Sequence, residues 1–137
     1  MSTSCIQRKR AMILEKIVRI KNLRHQKEQI IKEEHEAWKP SKHDLDEMAG
    51  IYAKFQQVCD PTNEDNKKII IYILFFMYSP LSCVGRGKRG SVRGKIAKVM
   101  GLSNSMISQH FCDAKILFVR HKGFREETER VYQLLLE

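Results

Sequence analysis

Ile69-Ile70-Ile71-Tyr72-Ile73-Leu74-Phe75-Phe76-Met77-Tyr78 is an unbroken apolar run, and few folds can accommodate one. A segment that is apolar on every side has to be covered on every side, so whatever packs around it becomes the core. The run is about half of the roughly 20 residues that a membrane-spanning helix needs, which makes it a buried element and not a transmembrane one. Its β-branched residues would also suit a strand. Helical signals flank it, however: Thr62 or Asn63 can cap a helix through Lys67 to Tyr78, and Ser79-Pro80 closes it, because the residue before proline is pushed out of the helical region. No second run offers a partner strand. A central core helix is expected.

Helical periodicity recurs on either side. From about Gln7 to Trp38, Ile13, Ile17, Ile20 and Ile31 fall near one face, while Arg24 and Lys27 interrupt the seam that a coiled coil would want apolar. Pro40 ends this helix. Ser41 and Asp44 can cap a second one, in which Leu45, Met48, Tyr52, Phe55 and Val58 repeat every three or four residues. With 137 residues, the expected fold is all-α: a helical segment over residues 1–60, with a long N-terminal helix, and a helical domain over 61–137.

The net charge of +9 is localised. Between Val84 and Arg125 there are ten basic residues and one acidic one, Asp113, so this stretch alone nets +9; the remaining residues carry 15 of each sign. Such a concentration is what a polyanion-binding surface requires, since each cation that meets a phosphate releases condensed counterions. Gly85-Arg86-Gly87-Lys88-Arg89-Gly90 lacks the spacing of a phosphate-binding P-loop and reads as a basic connector.

Inside the basic stretch, Arg93 to Val119 has the layout of a helix-turn-helix. Ala97 is small where two helices must cross, Gly101 can take the positive φ of the turn, Leu102 plugs the corner, and Ile107, ten residues after Ala97, anchors the second helix. Ile96, Met100, Phe111 and Ala114 extend the buried face. Ser103, Asn104 and Ser105 supply N-cap chemistry. Asn104, Ser105, Ser108 and Gln109 are left outward near the start of the second helix, with Cys112 and Asp113 one turn later; small polar and amide groups at that position suit base edges in a major groove. Arg86, Lys88, Arg89, Arg93, Lys95, Lys98, Arg120 and Lys122 are the candidate phosphate contacts.

The order of an apolar helix (Lys67 to Tyr78), a basic connector, a helix-turn-helix (Arg93 to Val119) and a closing helix (Phe124 to Leu136) resembles the DNA-binding domain of the bacterial chromosomal replication initiator family. The resemblance covers the second half of the chain. It implies a helix-turn-helix reading duplex DNA, without the family's Arg-Asp-His-Thr-Thr signature, where this chain has Ser103-Asn104-Ser105-Met106-Ile107; origin recognition is not implied. The general organisation is also similar to small regulators of phages and mobile elements, including small terminase subunits.

No two of the histidines and cysteines show zinc-ligand spacing, and His110 and Cys112, at i and i+2, point to different helix faces. No metal, no cofactor and no catalytic residue is expected, since Cys112 near His110 and His121 lacks any nucleophile motif. Scattered cysteines and an N-terminus without a secretory pattern point to a cytoplasmic, nucleoid-associated bacterial protein. The expected partner is double-stranded DNA, bound by a transcriptional regulator; a packaging or replication accessory protein is the alternative. A structural adaptor or RNA-associated protein is the alternative of another class. The N-terminal half is the expected place of dimerisation, since two such units would read half-sites about one helical turn apart, and the first helix could also dock another protein.

Overall fold

The computed structural model describes residues 2–86 and 90–137, with side chains from Arg8 onward except those of residues 9 and 11. Among the described residues the fold is all-α, with no strand and no helix long and apolar enough to cross a membrane. Its helices are α1 (Ser2–Glu33), α2 (Met48–Val58), α3 (Glu64–Tyr78), α4 (Gly90–Met100), α5 (Asn104–Arg120) and α6 (Lys122–Leu136), joined in part by short 3-10 turns. The chain divides into two compact units, Met1–Trp38 and Lys39–Glu137. The boundary therefore falls at Trp38 and not near residue 60. The reason is α2, which buries Met48 and Phe55 completely in the same core as the later helices.

The first unit is α1 and a 3-10 turn, His35–Trp38. The single helix expected from Gln7 to Trp38 thus tightens in its last turn, as helix ends commonly do.

In the second unit α3 is the central element, as its composition requires. Nine of its residues are buried, and Phe76, 39% exposed, is the one break in the apolar run. Asn63 caps the helix, its side-chain oxygen accepting from the Asn66 N–H at 3.1 Å. Thr62 has another role: its N–H and hydroxyl both donate to Asp60 Oδ1, at 2.9 and 2.7 Å, closing the preceding turn. At the far end Ser79 leaves the helix, Pro80 opens a 3-10 turn, and Gly85 ends it at φ 78°.

Helices α2, α4, α5 and α6 surround α3. Phe75 stacks on Phe111 of α5 with ring centroids 3.9 Å apart, Tyr72 stacks on Phe118 at 4.6 Å, and Phe76 meets Tyr132 of α6 edge-on at 5.4 Å. Each fully buried aromatic of this kind contributes about 1.5–3 kcal/mol of apolar burial. The segment before α2 is pinned to α3 by polar bonds: the Met77 carbonyl accepts from the Ser41 and Lys42 N–H groups at 3.0 and 3.1 Å, and the Tyr78 hydroxyl donates to the Asp44 carbonyl at 2.9 Å. Asp44 caps a 3-10 turn, Leu45–Glu47, that leads into α2. Of the stripe read from sequence, Leu45 and Tyr52 pack partly on the core, whereas Val58, at the helix end, is 42% exposed.

Candidate nucleic-acid interface

Helices α4 and α5 stand at the spacing read from sequence, and each local feature has a cause. Gly101 ends α4 at φ 68°, a conformation costly for any residue with a Cβ. The reversal lets the Leu102 N–H donate to the Ala97 carbonyl at 3.0 Å, and Leu102 packs against the core. Ser103 then starts α5, its hydroxyl accepting from the Met106 N–H at 3.1 Å. Ala97 is 7% exposed where the helices meet, and Ile96, Ile107, Phe111 and Ala114 are buried. Aromatic stacking of Phe111 on Phe75 fixes α5 to the central helix, so its N-terminal turns rest on a rigid scaffold.

Asn104, Ser105 and Gln109 are exposed on the first turns of α5, and no acidic residue stands in its first turn. A helix start capped by a neutral hydroxyl and free of carboxylates in its first turn keeps its partial positive charge facing outward. Lys98, exposed on α4, lines an open recess of about 330 Å³ together with Gly94, Ala97, Gly101, Leu102 and Asn104. Among the described residues Lys98 and Arg120 have no carboxylate partner.

Other candidates are engaged within the protein. Ser108 is half-buried and accepts a 3.2 Å hydrogen bond from Arg93 Nη1, so these two side chains face each other across the helix pair. Arg93 Nε is buried without a hydrogen-bond partner. Lys95 lies 3.6 Å from Asp46, and Lys122 lies 3.7 Å from Glu126 one turn along α6. Arg86 is exposed. Lys88 and Arg89 lie outside the described residues.

Sequence reasoning missed the polar pairs that join distant segments. His110 of α5 places Nε2 3.9 Å from Glu64 at the start of α3, beside an open recess of about 270 Å³ that Lys68, Gln109 and Asp113 help to line. The Lys67 ammonium, hydrogen-bonded to Glu64 at 3.0 Å, is the main reason that this carboxyl titrates below its ordinary range, with His110 a lesser contributor. Cys83 and Tyr72 form another such contact: burial pushes the Cys83 thiol up to about 11, and burial first, then the neighbouring Cys83, raises the Tyr72 hydroxyl further. Nothing in the local sequence around these residues signals the pairing. No protein-family model, curated protein or solved structure matches the chain.

Proposed function

We propose that the protein binds duplex DNA through the α4–α5 pair and acts as a transcriptional regulator, with α5 as the helix that enters the major groove. The observation that carries this reading is the N-terminal end of α5: Asn104, Ser105 and Gln109 project from a rigidly anchored helix start, with Lys98 beside them and no carboxylate in the first turn. Amides reach the N6 and N7 positions of adenine bidentately, and serine hydroxyls pair with several base edges. Lys98 and Arg120 grip phosphate on either side and set the position of the helix without reading sequence. The +9 carried by the stretch from Val84 to Arg125 supports the same reading, because it supplies counterion release to any polyphosphate.

Selection from a random duplex pool near physiological salt tests the proposal. An enriched motif is expected. On that motif Asn104→Ala and Gln109→Ala cost about 1–3 kcal/mol and change little on random DNA, while Lys98→Ala weakens both alike. Binding without enrichment, and with equal losses on both DNAs for all three variants, would replace base reading by a backbone-gripping role of the architectural or packaging kind.

A further inference from the structure

We propose that α1 is a docking helix for another protein, and that the segment it receives is an acidic helix with an apolar seam. The inference concerns a different surface from the α4–α5 pair and does not rest on DNA binding. Met12, Ile13, Ile17, Ile20, Leu23 and Ile30 are each between 44% and 55% exposed. At about 3.6 residues per turn they lie along one broad side of the helix, while Leu14 and Val18 turn away from it. Exposed apolar groups aligned over many turns mark an interaction surface.

Charge selects the occupant. Helix α1 carries nine Lys and Arg against three Glu, a net of +6, and Lys16, Arg24 and Lys27 fall within the same side as the apolar groups. A second copy would bring two helices of net +6 together and set Arg24 and Lys27 against like charge, which opposes that pairing. An anionic lipid surface is a poor match too. Helices that lie on membranes separate their cations from their apolar face, and acyl chains offer nothing to cations inside that face. Nucleic acid would neutralise the cations and leave six large apolar side chains against phosphate. A helix whose apolar residues meet Ile13, Ile17, Ile20 and Leu23, and whose carboxylates stand opposite Lys16, Arg24 and Lys27, covers both kinds of group at once. Flanking charges of this sort set partner choice and orientation in paired helices.

The full chain is titrated with a synthetic four-heptad peptide carrying Leu at every seam position and Glu at the flanking ones, and with a control in which each Glu is Lys. Expected are a one-to-one complex with the acidic peptide, affinity at least about tenfold lower for the basic one, and weakening by salt. Ile17→Asp/Ile20→Asp abolishes binding and Arg24→Glu/Lys27→Glu lowers it about tenfold or more, both variants keeping their helical circular dichroism. Failure of the acidic peptide to bind, or equal binding of the two peptides, overturns the proposal. So does a dimer of the chain alone that Ile17→Asp/Ile20→Asp dissolves, or uptake onto phosphatidylglycerol vesicles or duplex DNA through Arg24 and Lys27 in place of peptide binding.

Discussion

Arg93 of α4 donates from Nη1 to Ser108 Oγ of α5 at 3.2 Å, a bond between two half-buried side chains that ties the two helices of the turn motif together. Because Arg93 Nε is already buried without a partner, removing the hydroxyl would leave the guanidinium with still fewer acceptors. Ser108→Ala is therefore expected to cost about 1.5–3 kcal/mol, the range for hydrogen bonds to a charged group. A urea midpoint that falls with an unchanged slope is the expected result. An unmoved midpoint would mean that the guanidinium finds water instead and that the bond adds nothing to stability.

The two glycines of this motif give opposite predictions. A Cβ at Gly101 meets no atom within 4 Å, so space is not its constraint; φ 68° is. Gly101→Ala should cost about 1–2 kcal/mol through the left-handed backbone alone. Gly94 lies inside α4 at an ordinary φ, with open space at its Cβ position. Gly94→Ala should stabilise by about 0.5–1 kcal/mol, since alanine loses less backbone entropy in a helix. Thermal unfolding of the pair decides: two shifts of the same sign would contradict the account.

What could be read in the chain beforehand depends on range. The helix through Ile69 to Tyr78, the Ser103 cap, the Gly101 turn and the inward Ala97 and Ile107 are set by neighbours within a few residues, and the fold carries all of them. Val58 fits the α2 stripe by spacing yet is exposed, because periodicity cannot tell where a helix runs past the body it packs on. The unit boundary at Trp38 depends on α2 meeting α4 and α6, contacts between residues far apart in sequence. The same holds for Arg93 with Ser108, Lys95 with Asp46 and His110 with Glu64. A charged or polar side chain at the surface of its own helix has no partner until other helices arrive, so these three pairs follow from packing and not from pattern.

Phe111 is where the motif meets the core, fully buried and stacked on Phe75. Phe111→Ala should cost about 3–5 kcal/mol from lost transfer energy and the cavity left behind. Against a total of about 5–15 kcal/mol for a domain, that brings the second unit close to unfolding at 25 °C. Ile116, on the same helix but 52% exposed, serves as the control: Ile116→Ala should move stability by no more than about 0.5 kcal/mol. Equal losses at the two positions, followed by circular dichroism on denaturation, would show that α5 is not held by its inner face.

Alkaline pH should loosen the second unit through Cys83 and Tyr72. Burial raises both groups, taking the Cys83 thiol from its ordinary 9.0 to about 11, an effect that a hydrogen bond from Tyr72 and the charge of Lys115 only partly offset. Above about pH 9 the unfolded chain releases these protons while the folded one keeps them, so the folded state binds more protons and stability falls as pH rises. The contribution is complete below pH 9 and is lost on passing through about 11. Asp60 and Glu127 act in the opposite direction, their carboxyls lowered chiefly by hydrogen bonds from Thr62 and Arg130, so their contribution is lost in acid. Urea midpoints should accordingly hold level near neutrality and fall from about pH 9 upward, and Tyr72→Phe/Cys83→Ala should flatten the fall. An alkaline limb that is unchanged in the double variant would place the titrating groups elsewhere in the chain.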